Sequence, residues 1–69
     1  MKPKPFNVSE FNRALGTGRW IAYDTLEAAL EAIHAKAARS RKFMEWEVFD
    51  ESGINAIPHK AIAKVYGQH

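Results

Sequence analysis

The run "DTLEAALEAIHAKAARSRK", residues 24–42, begins with acids and ends with bases. Bases elsewhere could join that basic end: Arg13 and Arg19 flank a glycine-rich turn, Lys42 closes the run and Lys60 lies farther on. Clustered cations bind anions, and Trp20 beside Arg19 offers an aromatic face on which a base could stack. Other chemistry finds little support. None of Ser9, Ser40 and Ser52 sits in a nucleophile-elbow pattern. His34 lies one helical step after Glu31, but a metal site needs more ligands and a closed geometry, and His69 reads as simply the chain end. Glu45 and Glu47 could mimic a paired-carboxylate site, yet such a pair needs a cleft that shifts a pKa. "GTGR" is too short for a phosphate-loop fingerprint and reads better as a hairpin turn. No catalysis, metal or cofactor is therefore expected.

Bulk properties set the frame. A chain of 69 residues is one domain with a thin two-layer core and little room for a deep cleft. It contains no cysteine, which excludes disulfides and thiolate metal sites and fits a reducing cytoplasm. "MKPKPF" lacks the apolar run of a signal peptide, and no stretch approaches the length of a membrane span. A net charge of +2 is too small to imply nucleic acid by itself.

The elements that must position these residues follow from periodicity. Residues 1–5 read as an extended tail, and 6–69 as one α+β domain. "FNVSEFNR" and "RWIAY" form a hairpin about "ALGTG". A long helix follows, capped by Asp24 with Glu27 in a capping-box pattern, or by Thr25. Leu26, Ala29, Leu30, Ile33 and Ala37 make its apolar stripe. In "FMEWEVF", Met44, Trp46 and Val48 share one face, and Glu45 and Glu47 the other. "DESG" reads as a tight turn with Gly53 at positive φ, and "INAI" as the fourth strand. In "PHKAIAKVYG" a short terminal helix is preferred, with a further strand as the rival because Ile62, Lys64 and Tyr66 alternate. The expected fold is a ββαββ antiparallel sheet packed on one long helix, with that short helix at the end.

This layout gathers Arg13, Arg19, Arg39, Arg41, Lys42 and Lys60 at one pole, with Trp20 at its edge. Asp24, Glu27, Asp50 and Glu51 fall at the other. Complementing the helix macrodipole explains Asp24, Glu27 and Arg39, but not the bases on other elements. The uncovered sheet face should carry Phe49 and either Trp20/Ala22 or Ile21/Tyr23, a surface suited to docking or to a homodimer. Strand edges offer a further route to a partner.

Two runs, "YDTLEAALEAIHAKA" and "WEVFDESG", resemble small phage and mobile-element proteins, among them short inhibitors of bacterial defence such as anti-CRISPR proteins. The resemblance spans about residues 19–53 and carries over no residue role. It implies a stoichiometric inhibitor or accessory factor that docks on a host protein or ribonucleoprotein complex. Nucleic-acid binding through the basic pole is the alternative.

Overall fold

The structure, a computed structural model, describes residues 5–69; the tail expected over 1–5 lies, except for Pro5, outside them. The first hairpin forms as its residue types dictate. Strand β1 (Phe6–Asn12) and strand β2 (Thr17–Tyr23) pair antiparallel. Gly16 turns the chain at φ 70°, where a side chain would be strained, and its N–H donates to the Asn12 carbonyl at 2.8 Å. Asn12 closes the turn a second time, its Oδ1 accepting the Leu15 N–H at 3.0 Å.

Helix α1 (Leu26–Ala37) is alanine-rich and begins at Thr25. The Thr25 backbone is extended, and its Oγ1 accepts the Ala28 N–H at 3.1 Å. Of the two candidate caps Thr25 takes the role, and Asp24 stands outside the helix. The expected stripe is the buried one. Ala29, Ile33 and Ala37 are fully buried, and Leu26 and Leu30 pack beside them.

Strand β3 (Met44–Asp50) lies along β1, and the sheet order is β2-β1-β3-β4 with every neighbouring pair antiparallel. Cross-strand partners share a face. The side facing α1 therefore carries Val8, Glu10, Arg19, Ile21, Trp46, Val48 and Val65. Val8, Trp46 and Val48 join the helix stripe in one core, and Trp46 is its largest fully buried side chain.

The expected order fails after β3. "DESG" does not make a tight turn and "INAI" is not a strand; Glu51–Asn55 forms a single-turn helix, α2. Asp50 caps it, accepting the Gly53 N–H at 2.6 Å and the Ser52 hydroxyl at 2.8 Å. These bonds, the Gly53 one foremost, hold the Asp50 carboxyl below its ordinary range. Gly53 has no positive φ. Space is what selects glycine there, because a Cβ would come within 2.8 Å of the Lys60 carbonyl oxygen.

The preferred C-terminal helix is also absent. Strand β4 (Ala63–Tyr66) stands in its place, with Ala63 and Val65 inward and Lys64 and Tyr66 outward. The alternating pattern prevails over local helix propensity because β3 would otherwise present an unpaired edge.

Past β4 the chain folds back onto the end of α1. The Gln68 N–H donates to the Ala37 carbonyl at 2.9 Å and the His69 N–H to Ser40 at 2.9 Å. The His69 carbonyl accepts the Lys42 N–H at 2.8 Å, and its ring Nε2 lies 2.7 Å from the Ala38 carbonyl oxygen. His69 is thus more than a chain end. With Gln68 it supplies the donors that the last turn of α1 and the segment after it would otherwise seek from water.

Candidate functional site

The end of α1, the segment 38–43 and the first residues of β3 meet β1 and β2 along a groove of about 450 Å³. Trp46 and Met44 line it together with Glu10, Arg19 and Lys36, and Phe43, Arg39 and Arg41 stand around them. A smaller hollow of about 270 Å³ shares Glu10, Arg19 and Met44 and continues toward Thr17 and Gly18.

Glu10 organises the groove. Its carboxylate, 14% exposed, accepts the Trp46 indole N–H at 2.9 Å, the Arg19 Nε at 2.7 Å and the Lys36 Nζ at 3.4 Å. Three elements, β2, α1 and β3, thereby converge on one side chain of β1. Burial pushes the Glu10 carboxyl up, but the Trp46 and Arg19 hydrogen bonds and the Lys36 and Arg19 charges outweigh it. The group is held below its ordinary 4.5. A carboxyl depressed on folding stabilises the fold fully above its unfolded pKa. That contribution is lost as pH falls through the lower folded value. Acid titration of stability below about pH 4.5 should therefore show a drop that is smaller in Glu10→Gln, with Asp50 supplying the remainder. Equal acid slopes for the two proteins in urea melts would refute the Glu10 share.

The expected basic residues do not all share one place. Arg19, Arg39 and Arg41 line the groove together. Lys42 follows at the same pole and makes no ion pair among the described residues. Arg13 stays at this pole but turns to the outer sheet face. Its Nε lies 3.3 Å from the Phe43 carbonyl oxygen and 3.7 Å from Glu45, its Nη2 donates to the Lys42 carbonyl, and its guanidinium sits 5.2 Å over the Tyr66 ring.

Two placements differ from the sequence reading. Lys60 is not at the basic pole. Its carbonyl packs against Gly53, beyond the far end of β3, because the strand expected to bring it back is the helix α2. Trp20 is not beside the groove either. It lies on the outer face, its ring 5.6 Å from Phe49, and the His59 ring meets Phe49 edge-on at 6.2 Å. Of the two sets considered for that face, Trp20/Ala22 occupies it. Glu45 and Glu47 lie there as expected, and Lys64 approaches each at 4.0 Å. The Tyr66 side chain first, then these two carboxylates, push the Lys64 ammonium up.

Sequence reasoning missed Glu10, Lys36, Phe43 and the indole N–H of Trp46 as parts of the site. The signal for Glu10 was present: it alternates with Phe6 and Val8, and the hairpin sets it opposite Arg19. Among the described residues no three His, Asp or Glu side chains gather in a metal-binding group. No helix there is long and apolar enough to cross a membrane. Neither a family model, nor a curated protein, nor a solved structure matches this chain.

Proposed function

We propose that the chain is a non-catalytic binding protein that docks through its basic pole on an acidic surface of a protein or ribonucleoprotein partner. This suits the phage-type inhibitor or accessory factor that the sequence resemblance implies. One observation carries the reading. Among the described residues, only Arg39, Arg41, Lys42 and Lys60 of the lysines and arginines lack an acidic partner; Arg39 and Arg41 line the groove, and Lys42 follows them directly in the chain. The macrodipole accounts poorly for all three. The carbonyls of Ala37, Ala38 and Ser40 are met by Gln68 and His69, so these bases are free to face a partner.

Direct nucleic-acid binding through the same pole is the second reading, favoured by the same unpaired cations. The acids Glu45 and Glu47 on the outer face leave a stacking sheet poorly suited to it, and Trp20 is on that face rather than in the groove.

The test is fluorescence anisotropy of a labelled poly-glutamate peptide and of single-stranded and duplex DNA and RNA, at low and near-physiological salt. Changing Arg39, Arg41 and Lys42 together to alanine should weaken the peptide at least about tenfold and leave the thermal midpoint nearly unchanged. Micromolar oligonucleotide binding that falls log-linearly with salt and vanishes in the triple variant would put nucleic acid first. No effect of the triple change on any ligand would end the basic-pole reading.

A further inference from the structure

We infer that the groove takes an extended acidic peptide segment bearing one bulky apolar side chain, which seats against Phe43 and Met44, over the buried Trp46, while flanking carboxylates meet Arg39 and Arg41. The inference rests on the basic pole being a docking surface and names what docks there. Three features select this occupant. First, the groove combines apolar and cationic groups: partly buried Met44 lines it together with Arg19, Arg39 and Arg41, and the ring of Trp46 is buried beneath it. Phe43 is 39% exposed although it follows four polar residues of the basic run, and an aromatic kept in such a groove fits an anchor contact.

Second, the centre already holds an anion. Glu10 is ionised there and occupies Arg19 and Lys36, so the cations left for a partner are Arg39 and Arg41. A phosphate backbone, charged at every nucleotide, would run one of its charges toward Glu10. A peptide places a neutral side chain there and its carboxylates outside, which matches charge to charge. Third, a volume of about 450 Å³ accommodates one aromatic or branched side chain with its stretch of backbone.

The two tryptophans make the test direct, since Trp46 belongs to the groove and Trp20 to the opposite face. Proton–nitrogen NMR spectra of the labelled protein would follow both indole N–H signals, assigned through Trp20→Phe. The probes are the blocked peptide EDEDFDEDE, its counterpart with alanine for phenylalanine, and an oligothymidylate of matched charge. The expected result is a saturable shift of the Trp46 signal with an unmoved Trp20 signal. The phenylalanine peptide should bind at least about fivefold more tightly than the alanine one, and Arg39→Ala/Arg41→Ala should weaken it about tenfold. Equal binding of the two peptides at Trp46 would overturn the anchor inference and leave the basic-pole reading intact. A stronger Trp46 response to oligothymidylate, or a Trp20 response in place of Trp46, would also overturn it. Silence of Trp46 toward every probe at millimolar concentration would overturn it as well.

Discussion

Trp46→Ala is expected to leave the protein largely unfolded at room temperature. Trp46 is 1% exposed and the largest side chain in the core, where it meets the α1 stripe from the centre of the sheet. Truncating a buried tryptophan costs about 3–5 kcal/mol. A domain of this size has only about 3–10 kcal/mol in total. The change also removes the indole donor from Glu10, leaving the carboxylate with Arg19 and Lys36 alone. Trp46→Phe separates the two losses: it keeps most of the apolar contact and forfeits a hydrogen bond to a charged group, about 1.5–3 kcal/mol. Far-UV circular dichroism in urea reads both, because Trp20 would confuse a fluorescence signal. A Trp46→Ala protein that melts near the wild-type midpoint would show that the core does not depend on this ring.

Gly67→Ala is expected to cost about 3 kcal/mol and lower the thermal midpoint by at least about 10 °C. A Cβ at Gly67 would lie 1.8 Å from the Arg41 carbonyl oxygen and 2.6 Å from its carbon, so backbone must move. Gly67 also donates to the Met44 carbonyl at 3.0 Å, immediately before the Gln68 and His69 bonds to the end of α1. Pushing the chain away at Gly67 therefore releases the whole fastening at once. Gln68→Ala keeps the same backbone and should melt close to wild type. Amide exchange should speed up at Gln68, His69 and Lys42 in Gly67→Ala. Wild-type stability with unchanged protection there would refute the account.

How far the sequence disclosed this molecule depended on whether the deciding partner was near in sequence. The hairpin, α1 and its stripe, and the two faces of β3 all follow from residues within a turn or two of each other, and all were readable. Residues 51–66 were not. The alternation of Lys64 and Tyr66 competes with a helical pattern over the same residues, and only the free edge of β3 decides between them. Lys60 was misplaced as a consequence, since its position depends on where α2 sends the chain. At the groove, Arg19, Arg39 and Arg41 were brought together as charge and layout implied. Glu10 was overlooked because a carboxylate facing a helix is expected only when its partners are known, and Lys36 and Trp46 come from distant segments. The fastening at Gln68 and His69 left no local trace beyond the glycine before it.

The Glu10 cluster also bears on how the strands find their alignment. A slip of one residue would turn the apolar set of β1 outward and is prohibitive, but a slip of two would keep every side chain on its own face. Val8, Ile21 and Val48 are similar enough to tolerate that exchange. Glu10 is not: moved two places along it would face Ile21 and Val48 beneath the helix, an anion with no donor. The pairing with Arg19 and Trp46 satisfies it in one alignment only. The same carboxylate that shapes the groove thus selects, among sheets of nearly equal hydrophobic merit, the single one in which the groove exists.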